Sequence, residues 1–351
     1  MEAAPREVRA VVIGGGQAGL ATGYYLRRSG LTPGRDFVIL DAATTVGGAW
    51  ARMWPTLRTF SPTQHSSLPG WMMPPWTGDG GYPPAAHVVD YLTRYEERYD
   101  LDVRRSVSVE SVSRGEKLVV HTSDGDWLAD HIISATGTWS RPFVPTYPGS
   151  FVGRQLHTAG YRRAADFAGE RVLIVGGGNS AAQILAEVSQ VADTTWVTLR
   201  PPRFLPDDVD GRALFEIATR RHRVRQLGEP DTGGVAGLGD IVMVDSVRDA
   251  RDRDVLHARR TFARLIEHGV RWTDGGESTF DTIVWCTGFR PALSHLSRLG
   301  LRGPDGLIPT HGTQAINEPR LHLIGYGDWT GPASATLIGA GRAARDLVAG
   351  L

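Results

Sequence analysis

An α/β fold of two similar halves is predicted by three observations: a pair of glycine fingerprints, the apolar strand that precedes each, and the matching strand end that follows each. GGGQAG fills 14–19 and GGGNSA fills 176–181. HIISATG at 131–137 and TIVWCTG at 282–288 each close a strand with a small-Thr-Gly turn, after hairpin-like stretches with Asp-Gly turns at 124–125 and 274–275. A tight glycine turn between strand and helix aims the orphan N–H groups of the helix N-terminus at a pyrophosphate. The chain therefore reads as two Rossmann-like dinucleotide-binding domains, the second inserted into the first. The boundaries expected are 1–143 with 289–351, and 144–288, the latter carrying an insertion at 205–250.

Residues 8–13 (VRAVVI) form the first buried strand. Gly14, Gly16 and Gly19 make its turn, with Gln17 and Ala18 between them, and Ala18, Ala21, Thr22 and Tyr25 share one helical face. FVIL at 37–40 ends at Asp41, 22 residues after Gly19, where a carboxylate accepts ribose hydroxyls. Residues 50–82 hold Trp50, Trp54, Phe60, Trp71, Trp76 and Tyr82 among prolines, a stretch expected to pack over a cofactor ring and line the reaction cavity. In the second half RVLIV at 171–175 leads into Gly176, Gly178, Asn179 and Ser180 and a helix over 180–190. TWVTL at 195–199 ends at Arg200 rather than an acid. A guanidinium there, with Arg203 as a second, suits a 2′-phosphate, so NADPH is expected over NADH. The Arg220, Arg221, Arg223, Arg225 run reads as a solvated helix face. Residues 321–348 read as a strand, a Gly-Asp turn and a closing helix.

Composition removes several function classes. Zero net charge and a pI near 7.2 leave no electrostatic footprint for nucleic acid or anionic membrane. No apolar run approaches the ~18 residues that span a bilayer, and the N-terminus enters a strand directly, so a cytoplasmic protein is expected. Cys286 is the only cysteine, which excludes an internal disulfide, a zinc cluster and a C-x-x-C relay. Lys117 is the only lysine, which argues against Schiff-base chemistry. No ligand-spaced histidine cluster suggests a metal. The expected partners are a small-molecule substrate and O2, and a homodimer is compatible with the chain.

FVGRQLHTAGY at 151–161 fits F-x-G-x-x-x-H-x-x-x-Y, the identifying sequence of flavin-containing monooxygenases. With GGGQAGL, VGGAW, TLRPPRFLPDDVDGRALF, WCTGFRPAL and GYGDWTGPASATLIG, it makes the chain resemble class B flavin-dependent monooxygenases over essentially its whole length. The PDDVDGRALF and GDWTGPASATL stretches narrow the resemblance to the ArsO-type enzymes of bacterial arsenic-resistance operons. The resemblance implies FAD on Gly14, Gly16, Gln17, Ala18, Gly19, Asp41, Gly48, Trp50, Thr136, Gly137 and Asp328, with the last helix starting near Ala335 and Thr336 and facing the flavin. It implies NADPH on Gly176, Gly178, Asn179, Ser180, Arg200 and Arg203. Phe151 and Gly153 would shape a turn between domains, and His157 and Tyr161 a linker that adjusts to NADP⁺. His157 is expected to position rather than to transfer a proton.

Phe60 stands where many relatives carry an asparagine two residues before a proline, and phenylalanine donates no hydrogen bond. Thr59, Ser61, Gln64 or NADP⁺ itself are the candidates to replace it. The implied chemistry is hydride transfer from NADPH to flavin N5, addition of O2 at C4a, and attack on the distal oxygen by a soft nucleophile, a trivalent arsenical or a sulfur or nitrogen centre. Two other readings stay open: an NADPH oxidase or diaphorase that inserts no oxygen, and a nucleotide-sensing flavoprotein that barely turns over.

Overall fold

The computed structural model describes residues 4–79, 81–209, 211–226 and 240–351. Strand β1 (Arg6–Ile13) leads into α1 (Gln17–Arg28) and β2 (Phe37–Leu40); α2 (Ala85–Tyr99), β3 (Val103–Arg104), β4 (Val109–Ser113), β5 (Leu118–Thr122) and β6 (Trp127–Ser134) follow. Next come β7 (Arg154–His157), β8 (Arg171–Val175), α3 (Asn179–Val188), β9 (Asp193–Thr198), α4 (Gly211–Gln226), α5 (Asp245–Asp252) and β10 (Ala258–Arg260). After β11 (Arg264–Ile266), β12 (Gly269–Arg271), β13 (Glu277–Thr279) and β14 (Thr282–Trp285), the chain ends with β15 (Thr310–His311), β16 (Gln314–Ala315), β17 (Glu318–Leu323) and α6 (Leu337–Val348).

Two sheets repeat one parallel core, which antiparallel strands extend in the first. The first runs β15-β16-β17-β6-β1-β2-β3 with the β4–β5 hairpin on β6; the second runs β10-β9-β8-β14-β7. In each, the strand before the glycine turn lies between its successor and the small-Thr-Gly strand: Ile13 pairs with Leu40 and Ser134, Val175 with Val197 and Trp285. Strands covered on both faces read as continuous apolar runs, and Val11, Val12, Val172, Leu173 and Ile174 are fully buried. Helices α1 and α6 pack on one face of the first sheet through Leu20, Leu26, Ala340 and Ala344. Among the described residues no helix is long and apolar enough to cross a membrane.

The 50–82 stretch is not a single aromatic lid. Trp54 is buried in the core of the second sheet with Ile174, Ile184 and Trp196. Trp71 packs on Tyr91 of α2 at 5.2 Å with the Arg98 guanidinium over it, and Trp76 meets the edge of His87 at 5.3 Å. The segment is a strap tied at its base, Ala85 N–H donating to Leu57 O and Thr59 N–H to Pro83 O. Its indoles therefore go to different places, Trp54 into the second core and Trp71 and Trp76 onto α2. Of the arginine run, Arg220 is exposed on α4; the side chains of Arg221, Arg223 and Arg225, like residues 227–239 of the insertion, lie outside the described residues.

Candidate active site

The first fingerprint owes its shape to missing side chains. Gly14 has φ +107, and a Cβ there would stand 2.6 Å from Ala135 O; one on Gly19 would stand 1.9 Å from Gly14 O. The second fingerprint repeats this, Gly176 having φ +145 and room for no Cβ, 2.2 Å from Cys286 O. The backbone bonds repeat as well: Gly14 N–H donates to Leu40 O and Ala135 N–H to Ile13 O, as Gly176 N–H does to Val197 O and Cys286 N–H to Val175 O. Only glycine lets strand, turn and neighbouring strand approach so closely. What remains at each turn is a helix N-terminus with no side-chain cap, since neither Gly16 nor Gly178 has one to offer.

Around the first turn the expected residues converge. Asp41 accepts from Gly15 N–H (3.1 Å), Ala43 N–H (2.9 Å) and the Arg105 guanidinium (2.6 Å). Arg105 also meets Glu96, whose carboxyl is raised by burial and pulled back by that arginine. The Arg105 Nε atom is buried without a hydrogen-bond partner among the described residues. Gly48 faces Gly16 so closely that a Cβ on it would lie 3.0 Å from the Gly16 Cα. Gln17 ties three segments together: it accepts from Trp50 Nε1 (2.9 Å) and donates to Ala335 O (2.6 Å). Thr336 caps α6, its hydroxyl accepting from Gly339 N–H at 3.1 Å. Thr136 donates to Ala292 O (2.7 Å), and Ala292 N–H donates to Gly137 O. Asp328 lies in the short turn Gly327–Trp329 ahead of that helix. A cradle without side chains, a paired acid at the second strand and an orphaned guanidinium nitrogen fit a dinucleotide.

At the second turn Asn179 is engaged by the insertion: its Nδ2 donates to Asp240 O (3.1 Å) and its Oδ1 accepts from Val242 N–H (2.8 Å). Ser180 follows it, partly exposed. Arg200 is exposed and makes no ion pair among the described residues. Arg203 is bound by Asp240 at 2.8 and 3.0 Å, so it is not the free second cation that sequence alone suggests.

The 151–161 stretch is built into the second unit, its β7 lying at the sheet edge beside β14. Phe151 is buried, and a Cβ on Gly153 would collide with its ring. His157 accepts from Ala159 N–H at Nδ1 and donates from Nε2 to Gly288 O (2.9 Å), edge-on to Phe289. Burial lowers its pKa, opposed by the Gly288 bond, so the neutral ring is fixed in one tautomer. Tyr161 is fully buried and donates to Glu187 at 2.6 Å. Glu187 also accepts from Thr56 (2.6 Å) and Trp54 (3.3 Å), linking motif, strap and α3.

Phe60 contributes its carbonyl, which accepts from Gly211 N–H at the start of α4 (2.7 Å). Ser61 faces Ser66 at 3.3 Å and crowds Gly211, and Thr59 donates to Ser61 O. Gln64 is exposed. A cleft of about 880 Å³ opens between strap, α3 and insertion, lined among others by Arg58, Tyr82, Gln183, Glu187, Asp208 and Asp249. No fingerprint glycine lines it. Arg105, Glu96, Glu187 and Asp240 were missed by sequence reasoning because each acts across the fold, with no local motif to mark it.

Residues 11–208 match the family model described as pyridine nucleotide-disulphide oxidoreductase, which defines an oxidoreductase of the two-dinucleotide class. A flavin-containing monooxygenase from Stenotrophomonas maltophilia is similar at 50% identity and a TM-score of 0.88, covering 98% of both chains. An uncharacterized oxidoreductase, CzcO, of Bacillus velezensis is 28% identical over 345 residues, 96% of this chain and 97% of its own. The S-allyl-L-cysteine S-oxygenase of Allium sativum shares the fold, at 19% identity and a TM-score of 0.68 over 98% of this chain and 76% of its own. The chain belongs to the flavin-containing monooxygenases.

Proposed function

We propose that the chain is an FAD- and NADPH-dependent monooxygenase that oxygenates a soft nucleophile, a trivalent arsenical or a sulfur or nitrogen centre, with the ArsO-type role in arsenic resistance as the physiological setting. The observation that carries this reading is the repetition of one glycine turn, at Gly14 and Gly176, in two sheets, with the 151–161 motif on the edge of the second. On this reading FAD lies on the first unit, 1–143 with 289–351, and NADPH on the second, 144–288. The pairing of β17 with β6 supports that division. When bound, the two cofactors supply hydride transfer and oxygen activation. The protein's part is to hold them: helix N-termini take the pyrophosphates, Asp41 takes a ribose, Arg200 takes the 2′-phosphate, and Gln17 fixes Trp50 and α6 against the first cofactor.

No side chain need act as nucleophile. Cys286 is buried and its thiol is pushed up to about 12 by burial, so a trivalent arsenical is held otherwise than by thiolate. The oxidase reading is favoured by one observation, Phe60 together with Ser61 turned toward Ser66 and Gly211. Stoichiometry separates the two. Under the proposed function, a good nucleophile yields one oxygenated product per NADPH and suppresses hydrogen peroxide. Peroxide equal to NADPH consumed, whatever arsenical, thioether or amine is offered, refutes oxygen insertion.

A further inference from the structure

The geometry points to Asp240 as the residue that sets nucleotide preference in the second pocket, an inference that rests on the reading of that pocket as the nicotinamide nucleotide site. β9 ends without the acid that its counterpart β2 carries, and Arg200 follows instead. A carboxylate returns to the same pocket from another direction. Residues 203–205 and 240–242 zip together: Asp240 and Ile241 N–H donate to Arg203 O, and Leu205 N–H donates to Ile241 O at 2.8 Å. Asn179, the first residue of α3, grips this pair at both Asp240 O and Val242 N–H. Asp240 is thus held at the mouth of the glycine turn, and its carboxylate takes Arg203 by both Nε and Nη2.

Two consequences follow from this arrangement. First, Arg203 is neutralised in place, so of these two arginines only Arg200 meets a 2′-phosphate without a carboxylate partner among the described residues. A phosphate that recruits Arg203 must compete with a bidentate carboxylate. Secondly, a nucleotide without that phosphate finds in Asp240 an acceptor for its ribose hydroxyls, the part Asp41 plays in the first unit. The pocket accordingly takes NADH as well as NADPH, and Asp240 narrows the gap between them.

Calorimetric titration of the FAD-loaded protein with NADP⁺ and with NAD⁺ tests this without turnover. Asp240→Asn keeps the backbone contacts and removes the charge. It should tighten NADP⁺ by about tenfold, the scale of one charge-assisted hydrogen bond, and weaken NAD⁺. Arg203→Ala alone leaves the Asp240 carboxylate unpaired and should weaken NADP⁺, and combined with Asp240→Asn it should erase the gain. Equal factors for both nucleotides, no change for either, or a gain that survives loss of Arg203 overturns the assignment. A parent protein that binds neither nucleotide overturns the reading of the pocket itself, and Asp240's role with it. Thermal unfolding of each variant confirms that the fold is intact.

Discussion

Cys286 sits at the end of β14 with its carbonyl oxygen against Gly176, and the only thiol of the chain is therefore part of the turn's scaffold. Cys286→Ser is expected to leave affinity for arsenicals and turnover within about twofold, since a buried, protonated thiol is inert. Steady-state kinetics with a trivalent arsenical would show a collapse in affinity if that were wrong. Arg200→Ala should weaken NADPH far more than NADH, by about tenfold or more for a lost charge-assisted contact. Comparable losses for both would remove the 2′-phosphate assignment. His157, satisfied at both nitrogens and kept neutral by burial, has no proton to offer near pH 7. His157→Gln should lower the rate while leaving the shape of the pH–rate profile unchanged; loss of a limb of that profile would make it an acid or base. At this scale the glycines were legible because their requirement is local, a positive φ or a backbone approach. The partner of Asp41 was not, since Arg105 comes from 64 positions away and no motif announces it.

Elements carry the next layer. Helix α6 starts at a threonine cap and brings Ala335 O to Gln17 of α1, so the N-termini of two helices share one side chain. Thr336→Ala should cost about 1 kcal/mol of stability through the lost cap. Chemical denaturation of the FAD-loaded and FAD-free protein would measure it, and an unchanged midpoint would show that packing alone fixes the helix. The strap at 50–82 shows why element-level reading stops short. Its aromatic content was plain, yet content does not say which of two cores an indole enters. Trp54 joins the second core because Glu187 on α3 accepts its N–H, while Trp71 is taken up by Tyr91 on α2. The two strand-turn-helix units could be read directly because hydrophobic periodicity and glycine spacing lie within one short window.

Over the whole molecule the fold class followed from duplication, whereas burial of individual polar groups depended on how the sheets stack. His322 on β17 is one such group: it lies beside His131 at 5.9 Å, with neither of its ring nitrogens bonded among the described residues. Burial, and His131 secondarily, lower its pKa from 6.5 to about 4. The native state resists the proton that the unfolded chain accepts. Its contribution is therefore full above pH 6.5 and is lost progressively as pH falls toward 4, by roughly 3 kcal/mol in all. His322→Leu should flatten the fall in stability over that window, as followed by circular dichroism; a parallel curve would place the acid sensitivity elsewhere, with buried His295 next in line. The pairing that buries His322 also governs how the chain is made. Ile132 of β6 waits for Leu321 of β17, and roughly 190 residues of translation separate them, some tens of seconds at ~5–20 residues per second. The middle of the chain, whose sheet is complete once β14 has emerged, can close first on the ribosome. Meanwhile the C-terminal half of β6, beyond its pairing with β5, offers an unpaired apolar edge. A message truncated before β17 yields not a smaller working enzyme but a nascent chain with an open strand, the form that chaperones hold and that aggregates recruit.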